Sequence, residues 1–440
     1  MTMRASSNSR LGANPAPPPL LLNPAFEQVI NNSIDIRGSH TQPSVRYAAA
    51  ATVYKHTFLT THGYFYHHDK KRPTWCDDAW ILNLSVQNPT FTRVNQGPNN
   101  GNLAPSARYA AAHARYKNNL YLFGGDDGGH LYSPHNYIFN SFNSEMWALN
   151  LDTFTWNNLT LPQSVSPAPR AQHSAVFLGE HMFVFGGIAK RDIWRYTPGT
   201  RDHTTAKWDL IDKGGVEPQT PGTRHAHAAA AGKRGFYIHG GGRKGESSSH
   251  KTFSDLWYFN IYAKTWTKLA SGPPARSHHT LVSLDRMNDT LILWGGADCS
   301  LHGCQCFADT WMYERARDFA MGGKWTKLKV SGPQPTHRYR HNFEIDPEDK
   351  DSIYLFGGES YDPYMYHNSI YRLTLSGRIT HSVQLNAGLG SGPIAFGSLI
   401  VALIGLFLYR LRRSKKYESV DSNAYTQESS AALHLSAIDE

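Results

Sequence analysis

The sequence predicts an all-β fold built from six copies of one four-stranded unit, because two short motifs recur in phase along the chain. The first motif is an apolar run that ends in two glycines, which suits a buried strand leading into a backbone conformation that side chains disfavour. Five copies are intact, and a sixth has lost its first glycine. The copies are Thr57–Gly63, Leu120–Gly125, Phe183–Gly187, Phe236–Gly241, Leu291–Gly296 and Ile353–Gly358. Their glycine pairs begin at residues 62, 124, 186, 240, 295 and 357, and spacings of 54 to 62 residues indicate stacked repeats of one supersecondary unit.

A second motif, Pro-x-x-Arg, precedes every glycine pair, and aromatic residues follow each pair at regular positions. The arginines are Arg46, Arg108, Arg170, Arg224, Arg276 and Arg338. Three residues further on, the six copies have Ala49, Ala111, His173, His227, His279 and His341. The aromatics after the glycine pairs are Trp80, Trp147, Trp194, Trp257, Trp311 and Tyr371, and five copies add Phe91, Trp156, Trp208, Trp266 and Trp325. Each unit is therefore predicted to contain four short strands, which we name a, b, c and d.

These motifs resemble the kelch repeat, in which a glycine pair ends strand b and a Pro–Arg–His sequence leads into strand a. The resemblance covers roughly residues 26–385 and implies a six-bladed β-propeller. His62 at a glycine position, and Ala49 and Ala111 in place of histidine, are expected to weaken the first blade most. We expect the repeated arginines and histidines to be structural, packing between blades with hydrogen bonds to neighbouring backbone.

The composition suits a repeat protein and gives little support to nucleic-acid binding. The chain has 440 residues, 37 glycines and 12% aromatic residues, as expected for many tight turns and strand pairings. Its net charge is +9, but five positive charges lie in Arg410–Lys416, outside the repeats. The repeat region is only mildly basic, so no nucleic-acid partner is expected.

The phase of the repeats predicts that the two ends of the domain meet in the last blade. Ser33–Arg37 lies where strand d of the preceding blade stands in every other repeat, so it is expected to complete a blade whose strands a to c come from residues 338–375. Closure of this kind removes exposed sheet edges. The alternative is that Ile379–Leu385 forms strand d and the amino-terminal segment is loose.

Alternation of strand direction places the b–c loops and the d–a connections on one face, here called the loop face, and the a–b and c–d turns on the opposite turn face. The b–c loops of blades one, two and six are rich in Tyr, His, Asp and Asn. Because Tyr and His give rigid, amphipathic contacts, these loops are predicted to recognise a protein or glycan ligand, although they could instead simply fill their own space. The candidate ligand-binding residues are Tyr64, Tyr66, His67, His68, Tyr132, His135, Tyr137, Tyr361, Tyr364 and Tyr366.

The loops also carry candidate disulfides and glycosylation sites. The four cysteines are Cys76, Cys299, Cys304 and Cys306, and all precede strand c of their blades. One local bridge is expected in the blade-five loop, and a second, from Cys76 to the remaining cysteine, would have to reach across blade six. Zinc is the rival, with His302 nearby, but the spacing matches no common zinc module and no metal is predicted. The glycosylation sequons are at Asn31, Asn83, Asn158 and Asn288.

A segment near the carboxyl terminus has the composition of a membrane-spanning helix. Pro393–Tyr409 is uncharged and strongly apolar, and with the preceding residues it extends to 23 residues without a charge. Five Lys or Arg residues follow, which predicts a single-pass membrane protein with an extracellular or lumenal propeller and a cytosolic carboxyl terminus. The predicted order is a disordered segment 1–25, the propeller 26–385, a linker 386–392, the transmembrane helix 393–409 and a cytosolic tail 410–440. No signal peptide is visible, which conflicts with this orientation and leaves an upstream start, insertion directed by the helix, and a cytosolic propeller all open.

The sequence predicts a binding module and not an enzyme. No carboxylate pair, nucleophile elbow, phosphate loop or metal signature stands out, and no cofactor is expected. We expect a membrane-tethered interaction module that recognises a protein or glycan through its loop face. The alternatives are a cytosol-facing scaffold anchored to an endomembrane and an enzyme resembling galactose oxidase. The copper site of galactose oxidase, with Tyr and His ligands and a Tyr–Cys crosslink, cannot be assembled here by motif.

Overall fold

The computed structural model shows six four-stranded antiparallel sheets that form the blades of a propeller, which confirms the predicted all-β architecture. It describes residues 23–30, 42–67, 72–95, 103–128, 141–199, 205–244, 250–285, 289–300, 304–316, 322–361 and 364–375. The chain divides into two compact units, residues 1–378 and 379–440, and all of the described residues belong to the first.

Each blade pairs its strands in the order a–b–c–d. Blade one is Ala50–Tyr54, Thr57–Thr61, Ala79–Asn83 and Phe91–Asn95. Blade two is Ala112–Tyr116, Asn119–Phe123, Met146–Asn150 and Trp156–Asn158. Blade three is Ser174–Leu178, His181–Phe185, Ile193–Thr197 and Lys207–Asp212. Blade four is Ala228–Ala231, Gly235–His239, Leu256–Asn260 and Thr265–Lys268.

Blade five is Thr280–Asp285, Thr290–Trp294, Thr310–Arg315 and Gly323–Lys327. Blade six is Asn342–Ile345, Ser352–Phe356, Ile370–Thr374 and Ala25–Ile30. Short two-stranded hairpins extend four of the b–c loops. They are Tyr64–His67 with Arg72–Trp75, Gly242–Lys244 with His250–Thr252, Ala297–Asp298 with Gln305–Cys306, and Glu359–Tyr361 with Tyr364–Tyr366.

The propeller closes through its amino end, as predicted, but with a different segment. Ala25–Ile30 pairs antiparallel with strand c of blade six, so that Phe26 lies opposite Leu373. Phe26 is buried and packs edge-on against Trp294 of blade five at 6.3 Å between ring centroids. It therefore fills the place that an aromatic of strand d fills in the other blades. Ser33–Arg37 contains no aromatic and lies, like Ile379–Leu385, outside the described residues.

The hydrophobic core lies between the blades. The described residues form an apolar cluster at each of the six junctions between neighbouring blades. A single blade cannot bury both of its faces, so each depends on its neighbours, as in other repeat folds. Phe236 of blade four, for example, is 1% exposed and contacts Phe183 of blade three at 6.0 Å between ring centroids.

A closed ring of six backbone hydrogen bonds joins the blades around the central axis. In each blade the residue two positions after the repeated arginine donates its N–H to the carbonyl of the equivalent residue in the preceding blade, over 2.8–3.1 Å. All six residues have positive φ, between 49° and 57°. They are Ala48, Ala110, Gln172, Ala226, His278 and Arg340. Below this ring the six strands a line a central cavity of about 370 Å³.

The repeated arginines have the structural role that the sequence predicts. All six are at most 1% exposed, and each donates a hydrogen bond of 2.9–3.2 Å to the carbonyl of the residue at the first glycine position of its own blade. In five blades the guanidinium also pairs with a carboxylate that stands just before strand c. Each of these arginines thus connects the segment before strand a to the end of strand b and, in five blades, to the start of strand c of the same blade.

The repeated histidines pack across the junctions between blades. In each of four blades the imidazole lies against the last side chain of strand b in the preceding blade, at 4.7–5.4 Å between ring centroids. A Cβ added at Gly124 would lie 2.9 Å from Cε1 of His173, and the equivalent glycines of blades three to five are as close to the next histidine. The first glycine of the pair therefore leaves room for the histidine of the following blade.

His62 compensates for a histidine that blade two lacks. Blade two has Ala111 at the histidine position, and the imidazole of His62, from blade one, is itself buried at this junction. His62 packs edge-on against Trp156 at 5.6 Å, and its Nδ1 lies 2.9 Å from Oγ1 of Thr61. The departure that was expected to weaken blade one is thus matched by a second departure in its neighbour.

The structure corrects the predicted localisation. Among the residues that it describes, which end at 375, no helix has the length and apolar character needed to cross a bilayer. These residues form strands and one short 3-10 helix, Gln163–Val165. A single-pass topology with an extracellular or lumenal propeller is therefore not supported, and the prediction of it was wrong. The segment Pro393–Tyr409 lies outside the described residues.

Candidate functional site

The loop face is asymmetric, because the residue that follows the repeated arginine is aromatic in only half of the blades. It is Tyr339, Tyr47 and Tyr109 in blades six, one and two, which are consecutive around the ring. It is Ala171, His225 and Ser277 in blades three, four and five. In every blade but the third, the described residues show this residue in an isolated antiparallel bridge with the start of the b–c loop, so the tyrosines of blades six, one and two lie beneath their loops.

Blades six, one and two share one aromatic cluster. The Tyr47 ring lies 4.9 Å from Tyr64, 5.7 Å from Tyr366 in a stacked arrangement, and 6.5 Å from Tyr109. Tyr64 also lies 5.3 Å from Tyr109 and 5.4 Å from Trp75. We name the set Tyr47, Tyr64, Tyr109, Tyr339 and Tyr366 the aromatic sector. Tyr47, Tyr339 and Tyr366 are buried, and Tyr64 and Tyr109 are half-buried. Because its members come from three blades and four of them are in mutual ring contact, the sector is a rigid aromatic base beneath the loops and not a set of independent loop side chains.

An ion pair between the half-buried Arg340 and the buried Glu359 supports the aromatic sector. Arg340 places its guanidinium 5.1 Å from the Tyr47 ring and 5.3 Å from the Tyr339 ring. Its Nη1 donates to Glu359 over 2.7 Å, and the Glu359 side chain is 1% exposed. Burial raises the pKa of Tyr47 and Tyr339 well above the ordinary value, so both phenols stay neutral near neutral pH. The sector therefore presents neutral rings around a compensated charge pair.

The structure describes part of the predicted ligand-binding set and brings part of it together. Tyr64 and Tyr366 contact the same neighbour, Tyr47, while Tyr361 is 46% exposed at the end of a hairpin strand. The backbone of Tyr66, His67 and Tyr364 lies in hairpin strands. The remaining predicted residues lie outside the described part of the chain, and they are His68, Tyr132, His135 and Tyr137.

Exposed apolar side chains are concentrated on the loop face. Leu103 is 64% exposed, Val165 51% and Val216 61%, and all three lie in d–a connections. Tyr361 adds a ring from the b–c loop of blade six. Of the other three exposed apolar residues in the described part of the chain, Val86 and Tyr262 lie on the turn face in c–d turns, and Leu210 lies in strand d of blade three. The loop face thus offers both a rigid aromatic sector and apolar contact area.

The cysteines form one local disulfide. Cys299 is bonded to Cys304 within the blade-five loop, while Cys76 and Cys306 are free thiols, so the second predicted bridge is not formed. Cys76 is buried, its Sγ lies 3.7 Å from Oγ of Ser44, and burial raises its pKa to about 11. A neutral, buried thiol of this kind is a poor nucleophile and a poor metal ligand.

Two of the predicted glycosylation sites can be placed. Asn83 ends strand c of blade one and Asn158 ends strand d of blade two, and both side chains are exposed. Asn31 and Asn288 lie outside the described residues. Use of any of these sequons stays a prediction.

Within the described part of the chain, one group of side chains has the composition of a metal site. His56, Asp346 and Glu348 place their ligand atoms within 4.8 Å of one another on the turn face, between blades one and six. Nδ1 of His56 lies 2.9 Å from Oδ2 of Asp346, whose side chain is 1% exposed. This hydrogen bond raises the pKa of His56. The contact is explained by an ion pair that joins the first and last blades.

The residues that sequence reasoning missed are those beneath the loops. Tyr47, Tyr109, Tyr339 and Arg340 were not selected, although three of the six Pro-x-x-Arg motifs are followed directly by tyrosine. Comparing that position across the repeats would have found the asymmetry. The meeting of these tyrosines with Tyr64 and Tyr366 depends on the order of blades around the ring, which the motifs alone do not reveal.

Comparison with known proteins agrees with this geometry. A family model described as the KLHDC2/KLHL20/DRC7 Kelch-repeats domain matches residues 88–286. Relatives include human host cell factor 1, 30% identical over 41% of this chain and 8% of that protein, and bovine kelch domain-containing protein 3, 28% identical over 44% of this chain and 49% of that protein. A third is the flagellar outer-arm dynein alpha chain of Chlamydomonas reinhardtii, 27% identical over 47% of this chain and 5% of that protein.

The chain spans less than half the length of each of these relatives. The solved structure of YjhT covers 77% of this chain and 99% of its own, with a TM-score of 0.52 and 14% sequence identity, which shows the fold alone. Taken with the six blades described above, these matches support a kelch-repeat domain folded as a six-bladed β-propeller.

Proposed function

We propose that this propeller is a non-enzymatic interaction module that binds a protein partner through the aromatic sector of its loop face. The observation that carries the proposal is the convergence of four tyrosines from blades six, one and two in ring contact, next to an ion pair whose arginine also lies against Tyr339. Tyrosines held in place by their neighbours lose little conformational entropy on binding, and they are enriched among the residues that dominate interface energies.

Exposed apolar residues on the same face support this assignment. Leu103 and Tyr361 supply accessible apolar area in the half of the face that contains the aromatic sector, and Val165 and Val216 extend it toward blades three and four. Exposed apolar area beside a rigid aromatic core is the usual composition of a protein-binding surface. The similarity to kelch domain-containing protein 3 and host cell factor 1 favours the same class of function.

Site-specific photocrosslinking tests the proposal with a matched pair of tyrosines. A photoreactive phenylalanine analogue replaces Tyr361 on the loop face or Tyr262 on the turn face, which is 69% exposed. We expect a discrete protein crosslink from position 361 that a second substitution, Tyr64→Ala, reduces at least tenfold, and no such product from position 262. Equal crosslinking from both positions, or a product from position 262 alone, would show that the loop face is not the binding surface.

A glycan partner would give a different result in the same experiment. Deglycosylation of the crosslinked sample should leave the product from position 361 intact if the partner's polypeptide makes the contact. Loss of the product after glycan removal would show that the ligand bound at the loop face is a glycan and not a protein.

A further inference from the structure

Five of the six blades share a triad made of the buried arginine, a carboxylate and a tryptophan. The arginine Nη1 lies 2.7–2.9 Å from an aspartate oxygen in blades one, three, four and five, and in blade two the partner is Glu145. In each of these blades the indole N–H of the strand c tryptophan donates to the same carboxylate over 2.7–3.0 Å. The carboxylates are Asp78, Glu145, Asp192, Asp255 and Asp309.

Blade six retains the arginine and replaces the other two members. Ser369 stands at the carboxylate position and Tyr371 at the tryptophan position. The Arg338 guanidinium donates to the carbonyl of Gly357 over 3.1 Å, to the carbonyl and hydroxyl of Thr336 over 3.1 and 2.9 Å, and to the Ser369 hydroxyl over 3.4 Å. None of the carboxylates in the described residues contacts it.

Arg338 is therefore a buried cation held by neutral groups. Its side chain is 1% exposed, and burial lowers its pKa to about 10. Arg46 is equally buried, but although burial acts in the same direction there, the charge of Asp78 holds the pKa of Arg46 above its ordinary value. A buried charge without a counter-charge costs free energy, so an anion that reached Arg338 would be bound favourably.

The carboxylate position is reachable from solvent in the other blades. The arginine side chains of these blades are 0% exposed, whereas their carboxylate partners are 13–42% exposed. The carboxylate thus lies on the solvent side of the guanidinium. In blade six a shorter side chain, that of Ser369, occupies this side, and at 9% exposure it is less accessible than the carboxylates of the other blades.

We propose that blade six binds a carboxylate group from outside the chain, placed against Arg338 as the aspartates are placed against the other arginines. The ligand class is a carboxylate, either a small organic anion or an acidic side chain of a partner. The site is formed by the side chains of Arg338 and Ser369, neither of which belongs to the aromatic sector, so its failure would leave the proposed function untouched.

Formate is the probe, because it is the smallest carboxylate and serves for chemical rescue. Thermal unfolding of the full chain is measured in sodium formate and in sodium chloride at equal ionic strength. We expect formate to raise the Tm of the wild-type protein saturably, by about 2–4 °C at about ten times its Kd, with no such rise in chloride. The variant Ser369→Asp supplies the carboxylate internally and is expected to lose the response to formate.

A matched variant creates the same arrangement elsewhere. Asp255→Ser makes blade four resemble blade six and is expected to gain a second formate-dependent rise in Tm. If Ser369→Asp fails to fold, Ser369→Asn fills the same space without charge and should also abolish the wild-type response. A formate response that is equal in the wild-type protein and in the folded Ser369 variant would overturn the proposal, as would a wild-type protein that does not respond.

A short glutamate peptide distinguishes the two sources of carboxylate. Binding at least tenfold tighter than that of formate, and lost in the Ser369 variant, identifies an acidic side chain of a partner. Binding no tighter than that of formate identifies a small organic anion.

Discussion

Replacing His62 by glycine and Ala111 by histidine tests whether one imidazole ring, supplied by either blade, fills the space between neighbouring blades. In blades three to six the histidine of one blade faces the first glycine of the preceding blade. At the junction of blades one and two this arrangement is reversed, with His62 buried in blade one and Ala111 in blade two. The double variant His62→Gly/Ala111→His restores the common arrangement.

The expected magnitudes follow from packing and backbone strain. His62→Gly removes a buried ring at a cost of about 2–4 kcal/mol, and relief of the positive φ of 58° returns about 1–2 kcal/mol, which leaves a net loss of about 1–3 kcal/mol. Ala111→His alone forces a second ring into an occupied space and costs about 1–3 kcal/mol. The double variant should lie within about 1 kcal/mol of the wild-type protein, and the midpoints of the two single losses then give a coupling energy of about 4 kcal/mol.

Urea unfolding followed by tryptophan fluorescence measures all four proteins of the cycle. His173→Ala is the control, because it removes the equivalent ring at a junction where Gly124 offers no replacement, and it should cost about 2–4 kcal/mol. If the double variant loses as much stability as the two single variants added together, the rings do not share one space and the reasoning is refuted.

Two further predictions concern the same histidines. Ser174→Ala removes the hydroxyl that lies 2.8 Å from Nε2 of His227 and should lower the free energy of unfolding by about 1–3 kcal/mol. Ala112→Ser places a hydroxyl at the equivalent position beside His173 and should raise the free energy of unfolding by about 0.5–1.5 kcal/mol. Urea unfolding should show these opposite signs, and a gain in stability from Ser174→Ala would contradict the prediction. The described residues include seven buried histidines whose pKa values are lowered by burial: His62, His173, His227, His239, His279, His341 and His367. Below about pH 6.5 the histidines of the unfolded chain bind protons, whereas those buried in the folded chain do not. Lowering the pH from about 7 to about 5.5 should therefore reduce the free energy of unfolding by about 1 kcal/mol per buried histidine. The raised pKa of His56 makes a smaller contribution of the opposite sign. Urea midpoints that are flat across that range would contradict the assignment of neutral buried imidazoles.

Much of the fold follows from the sequence because its strongest signals are local and repeated. The glycine pairs, the Pro-x-x-Arg motif and the spaced aromatics each mark a position within one blade, and six copies in phase determine the number of blades. Spacing alone predicts Ser33–Arg37 as the closing strand. The structure uses Ala25–Ile30, since Phe26 supplies the aromatic that the junction with blade five needs.

What the sequence by itself determined is the repeating unit: which residues form strands, which arginines are buried and where the glycines stand. Only the tertiary structure decided what meets between units, because those contacts join residues that are far apart along the chain, such as His239 and His279, which are 40 positions apart. His62 beside Trp156 of blade two, and Tyr47 stacked on Tyr366 of blade six, both depend on which blade lies next to which. Closing the chain into a circle sets those neighbours, and it places blade six beside blade one.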